Sequence, residues 1–159
     1  MSDALLPIPD WVARRASTHP DHTALETPTG ELVSYAELDG RVGRIAAALV
    51  ALGAEAGRPI ALLAGAGLDF AVLAHAIPRS GAVLMPLNAR LTSDELAYQL
   101  GDAGAGLLLA DGVHLGQARA AAAGSDVRVV AIEGELPEGD AVIEGAESLE
   151  ADAVHSLIY

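Results

Sequence analysis

Between residues 59 and 132, four short and continuous apolar runs alternate with segments of helical periodicity, and this alternation narrows the possible folds more than any other feature. The runs cover 59–64, 82–87, 106–110 and 127–132. A strand exposed on one face alternates apolar and polar residues; a strand that is apolar throughout is covered on both faces. Between the runs, the spacing predicts helices over 68–79, from Thr92 to about Ala103, and over 113–123, with Gly124 closing the last. Continuous strands joined by helices imply an α/β fold with a largely parallel sheet flanked by helices.

The residues before this repeat read differently. Asp10 is placed to cap a short helix over 10–17, with Trp11, Val12 and Ala16 on one face. Segments 23–26 and 31–34 flank the turn Thr27-Pro28-Thr29-Gly30 and predict a β-hairpin. Ser34-Tyr35-Ala36-Glu37 is a capping box, in which hydroxyl and carboxylate satisfy each other's neighbouring amides. The helix it opens carries Leu38, Val42, Ile45, Leu49 and Leu52 on one stripe, leaves Arg41 and Arg44 away from it, and stops at Gly53. Thr92-Ser93-Asp94-Glu95 is a second capping box. The expected organisation is an N-terminal helix, hairpin and capped helix over 1–58, βα repeats over 59–132, an acidic loop around a short strand near 141–143 over 133–152, and the start of another strand over 153–159. A chain that ends inside an apolar strand is expected to be truncated.

Charge and missing residue types exclude several functions. Nine basic residues against 22 acids give a net charge of -13, which disfavours nucleic acid and anionic lipid. Every basic residue is arginine. Without lysine there is no Schiff base and no phosphate-loop ammonium. Without cysteine there is no disulfide framework, thiolate nucleophile or thiolate zinc site. The opening residues lack a basic stretch followed by an apolar run, and no stretch of 18 apolar residues occurs, so neither a signal peptide nor a membrane span is expected. A cytoplasmic location fits these features.

Four local motifs could carry chemistry. Gly65-Ala66-Gly67 lies where a dinucleotide fingerprint would begin, but Phe70 stands where the third glycine belongs, and no acid closes the next strand. The glycines therefore read as a tight strand-to-helix turn. His19-Pro20-Asp21-His22 has no helical spacing and reads as a loop rather than a metal site. His75 reads as a core or interface histidine. The acidic run lacks the spacing of a calcium loop.

Three stretches resemble the adenylate-forming acyl-CoA synthetases and ligases, the AMP-binding enzymes. Glu31-Leu32-Val33-Ser34-Tyr35-Ala36-Glu37-Leu38 resembles the early (S/T)-Y-x-E-L segment of the family. The stretch Arg79-Ser80-Gly81-Ala82-Val83-Leu84-Met85-Pro86-Leu87-Asn88-Ala89-Arg90-Leu91-Thr92, continuing to Glu95-Leu96, resembles G-A-V-x-x-P-L-N-x-R-L-T-x-x-E-L and is the most specific match. Asp152 to Tyr159 resembles the strand that, in the family, leads into a Thr/Ser/Gly-rich phosphate loop ending in lysine. The P-L-N-x-R-L form is closer to fatty-acid, aryl-acid or succinylbenzoate ligases than to peptide-synthetase adenylation domains.

The resemblance implies the N-terminal portion of an ATP-dependent carboxylate–CoA ligase. A carboxylate would form an acyl-adenylate, and coenzyme A would then displace AMP. It implies ATP, magnesium and coenzyme A as cofactors of the whole enzyme and a small carboxylic acid as substrate, with none of these expected to bind this segment alone. The phosphate loop and lysine would follow Tyr159, so no catalytic, cofactor-binding or metal residue is assigned, and the segment is expected to be inactive. Ser34 and Glu37 cap a helix, while Pro86, Asn88 and Arg90 shape a loop in which Asn88 is suited to left-handed geometry. Acetyl-CoA-forming relatives place arginines after the strand equivalent to 107–110 to hold a coenzyme A phosphate; here 112–117 contains no arginine, and Arg119 reads as a solvated helix residue. The expected partner is the remainder of a ligase chain. The alternative is a non-catalytic module that associates through its exposed final strand.

Overall fold

The computed structural model describes residues 10–137, 140–145 and 154–159. Helix α1 (Trp11–Thr18) starts at Asp10, whose carboxylate accepts the Ala13 N–H. Strands β1 (Thr23–Glu26) and β2 (Leu32–Ser34) form the antiparallel hairpin. Helix α2 (Tyr35–Ala51) opens with both hydrogen bonds of the capping box in place. It closes at Gly53, whose positive φ of 96° is open to glycine at no steric cost, while the next amide, Ala54 N–H, reaches back to the Leu49 carbonyl.

The βα repeat follows as β3 (Pro59–Leu63), α3 (Leu68–Arg79), β4 (Val83–Pro86), α4 (Ser93–Ala103), β5 (Leu107–Ala110), α5 (Leu115–Ala122) and β6 (Arg128–Ala131). The four strands lie in the order β4-β3-β5-β6, and all neighbours are parallel. Their alternate residues feed two core layers. Ile60, Leu62, Leu107, Leu109 and Val130 pack beneath α1, α2 and α3. Ala61, Leu63, Met85, Leu108 and Ala110 pack beneath α4 and α5. Both faces of the sheet are covered, which is why the strands read as unbroken apolar runs. Pro78 is accommodated within the last turn of α3.

Several sequence expectations are corrected. Trp11 does not join Val12 in the core and is 62% exposed, because one short helix packing on α2 buries only a narrow stripe. The helix expected over 113–123 forms only from Leu115, and Val113 is exposed. No strand forms at 141–143; instead the Ile143 N–H donates to the Gly43 carbonyl, and the segment crosses α2. Ile143 packs against the larger core layer, so the acidic region is not wholly a solvated loop. A short irregular turn, Ile132–Glu135, begins that region, with Glu135 accepting the Ala131 N–H. The expected final strand is reduced, among the described residues, to one parallel bridge: Leu84 N–H donates to His155 O and Leu157 N–H donates to Leu84 O. Residues 1–9, part of the acidic run, and the Asp152-Ala153 start of the third family-like stretch lie outside the described residues.

Candidate functional site

The topology points to one place. From β3 the chain moves outward to β4, then returns past β3 to β5, so the strand order reverses between β3 and β5. In open parallel sheets, ligands bind in the crevice at the C-terminal ends of such a strand pair. Here the crevice lies between the turn Ala64-Gly65-Ala66-Gly67 after β3 and Asp111 after β5, with Leu63 and Ala110 in register below.

The Asp111 carboxylate fills this position. Its Oδ2 accepts the Gly65 N–H at 2.7 Å, and its Oδ1 accepts the His114 N–H at 2.9 Å. The same Oδ1 lies 2.6 Å from His114 Nδ1. Both side chains are mostly shielded. Burial pushes the Asp111 carboxyl up, but the bonds from Gly65 and His114 outweigh it and hold the group below its ordinary value of 3.8. An internal anion therefore takes the backbone donor that a ligand phosphate would use in a dinucleotide fold, and a phosphate entering here would meet a like charge. Gly67 precedes α3 with extended backbone, and its side offers no side-chain cap. Residues 65–67 form the turn between β3 and α3. Sequence reasoning missed Asp111 and His114. The available signal was an acid directly after a buried strand, opposite a glycine turn.

The loop after β4 forms the neighbouring wall. Asn88 does not adopt left-handed geometry; no residue other than glycine has positive φ among the described residues. Its Oδ1 accepts the Arg90 N–H at 3.0 Å instead, closing a turn by side chain rather than by backbone inversion. Gln117 on α5 holds the loop from the other side, donating Nε2 to Leu91 O at 2.6 Å and to Ala89 O at 3.3 Å. Thr92 and Glu95 complete the second capping box. Arg90 is exposed and has no ion-pair partner among the described residues. Beyond it, Leu91, Tyr98 and Tyr159 border a groove of about 380 Å³, where the Tyr159 hydroxyl donates to Asp102.

Arg79, the first residue of the motif stretch, is a buried cation. Its side chain is 2% exposed. It donates Nε to Asp10 Oδ2 at 2.9 Å, Nη2 to Asp39 Oδ1 at 2.8 Å and Nη1 to Asp39 O at 3.2 Å. One guanidinium thus joins the start of α1, the second turn of α2 and the end of α3. Burial alone would raise the Asp10 carboxyl, but the Arg79 bond and charge and the Ala13 N–H hold it below 3.8.

The remaining candidates separate. His75 is not a core residue: it keeps an exposed face on α3, near Asp10, Arg79 and His155. Partial burial lowers its pKa, and Asp10 opposes that shift. His19 and His22 stack loosely in an exposed loop, with ring centroids 4.7 Å apart. Among the described residues, no three His, Cys, Asp or Glu side chains converge as a metal site. Arg119 is exposed and only 4.0 Å from Glu135 at closest approach. No helix of the described residues is long and apolar enough to cross a membrane.

A family model described as AMP-binding enzyme matches residues 12–157. The chain belongs to the AMP-binding enzyme family. Among curated relatives, it is 37% identical over 142 residues to a chalcone synthase, cfoA, of Aspergillus candidus, covering 89% of this chain and 5% of that protein. It is 36% identical over 104 residues to a 2-succinylbenzoate–CoA ligase of Bacillus cereus, covering 65% of this chain and 21% of the ligase. The solved o-succinylbenzoate–CoA synthetase of Bacillus subtilis, in complex with ATP and magnesium, superposes with a TM-score of 0.84 at 27% identity, over 95% of this chain and 40% of that one. The parallel sheet with flanking helices is therefore the fold of the corresponding part of these enzymes. The chain spans only about a fifth of the ligase that it matches.

Proposed function

We propose that this chain is the N-terminal scaffold of an ATP-dependent carboxylate–CoA ligase, and that it carries none of the groups that activate ATP. The observation that carries the reading is the family match over residues 12–157, set beside a sequence without lysine. Adenylate formation needs donors around the phosphates, magnesium and a cation on the developing charge. At the switch point, the chain offers a carboxylate instead. ATP, magnesium, coenzyme A and the carboxylic acid would be bound by the whole ligase, with the rest of that chain as partner. The domain reading is a single N-terminal subdomain over 1–159.

The test incubates the purified chain with ATP, magnesium, coenzyme A and a panel of short fatty and aryl acids, then searches for acyl-CoA by mass spectrometry. No product is expected; acyl-CoA above a protein-free blank would contradict the proposal.

A second reading, a non-catalytic module that self-associates, is favoured by the exposure of Val154, Ile158 and Tyr159 along the segment beside β4, with Ile158 at 78%. Apolar side chains beside a sheet edge favour association. Light scattering across a concentration series would support it by a rise in mass, and a constant monomer mass would reject it.

A further inference from the structure

At the opposite end of the sheet, the N-terminal ends of β3, β5 and β6 and the turn after α2 enclose a cavity of about 220 Å³. Leu52, Ile60 and Leu107 line its apolar side, and Arg58, Arg128 and Glu55 its polar side. The strand pattern explains why both arginines line the same cavity. Ile60 and Val130 belong to the core layer beneath α2 and α3. Arg58 and Arg128 each lie two residues before one of them, so both emerge on that same face. Leu107 lies in register between Ile60 and Arg128, and Arg58 stands two residues before Ile60, just outside β3.

The charges in this cavity are unbalanced. Acids outnumber bases by 22 to nine, and the ion pairs of the described residues engage Arg41, Arg79 and Arg119 together with a histidine pair. Neither Arg58 nor Arg128 has a carboxylate partner among the described residues, although Glu55 stands at the rim. Two neighbouring cations are relieved by an anion placed between them. A guanidinium presents paired N–H donors that match phosphate oxygens, and a dianion balances two such groups where a carboxylate balances one. We infer that this cavity binds a phosphate group between Arg58 and Arg128, as inorganic phosphate or as a small phosphate monoester. The volume admits such a group. The negative charge of the chain opposes entry at long range but is screened beyond roughly 8–10 Å at ordinary salt.

The test titrates the full chain with inorganic phosphate and, separately, with ribose 5-phosphate, at ionic strength fixed with sodium chloride. The readout is the amide resonances of Gly53 and Gly106, which line the cavity. Saturable shifts are expected, with affinity at least about tenfold weaker in Arg58→Gln and Arg128→Gln, unchanged in the exposed Arg44→Gln, and a few-fold tighter in Glu55→Gln. If a glutamine variant fails to fold, Arg58→Lys and Arg128→Lys keep the charge and lose the fork, and they should bind more weakly than the parent. Saturation by both probes identifies the phosphate group itself as the ligand, and saturation by ribose 5-phosphate alone identifies a monoester. No saturable shift with either probe, or shifts that persist in both arginine variants, would overturn the inference.

Discussion

Arg79 and Asp111 each hold together chain segments that are distant in sequence, and each does so with charge. Removing one partner of a buried ion pair strands the other, at a cost of about 3–5 kcal/mol. Arg79→Met is therefore expected to lower unfolding free energy by about that amount, because Asp10 loses its partner beneath α1. Urea denaturation checks this, and a change below about 1 kcal/mol would show that water replaces the pair. The pH dependence follows from the carboxyls. Asp10 and Asp111 are both held below 3.8 in the folded chain, in each case against burial, so their contribution is complete above that value. It is lost as pH falls through the lowered values, because the unfolded chain then takes up protons first. Stability should decline steeply below about pH 4, and Asp111→Asn should flatten that decline. The Gly65 amide resonance should move over the same range, since its N–H donates to Asp111. A Gly65 resonance indifferent to acid would remove Asp111 from the crevice.

At the scale of elements, α2 shows what the sequence could and could not reveal. Its capping box, apolar stripe and glycine stop were all legible, because each depends on residues within one or two turns. Gly43 in its middle was not. A Cβ there would lie 2.5 Å from Val142 Cγ1 and 2.9 Å from Ile143 O, about 100 residues away. Gly43→Ala gains helix propensity, roughly 1 kcal/mol, and displaces the 140–145 segment. Limited proteolysis should then cut within residues 136–145 faster while the melting point stays equal or rises; unchanged cutting would show that the segment does not dock on α2. The same division by distance covers the rest. The strands of the repeat were readable as unbroken apolar runs because both faces are buried. Exposed Trp11, the absent strand at 141–143 and the side-chain turn at Asn88 depend on which neighbours the chain brings near. For the switch-point pair Asp111 and His114, the acid after a buried strand was a local signal, but its position opposite Gly65 depends on a strand order that no local spacing encodes.

For the whole molecule, the sheet has two chemically different ends. The C-terminal end is closed by its own carboxylate, and the N-terminal end exposes two arginines that have no carboxylate partner among the described residues. The apolar layers between them hold the sheet: truncating Leu62, fully buried at its centre, should cost about 2–5 kcal/mol as Leu62→Ala. This arrangement fits a scaffold, in which rigidity is supplied here and reactive groups are supplied elsewhere. The motif stretch over 79–96 becomes intelligible on the same terms, since Asn88, Thr92 and Glu95 each hold the loop or the helix after β4.

On the proposed function, this chain frames a ligase without performing its first step. ATP–pyrophosphate exchange measures that step directly, because labelled pyrophosphate enters ATP only when an acyl-adenylate forms and reverses. The purified 159-residue chain, with magnesium and a panel of carboxylic acids, should give exchange indistinguishable from a protein-free blank. Acid-dependent exchange above that blank would mean that the adenylating groups lie within these residues, and the account of the chain as a scaffold would be wrong.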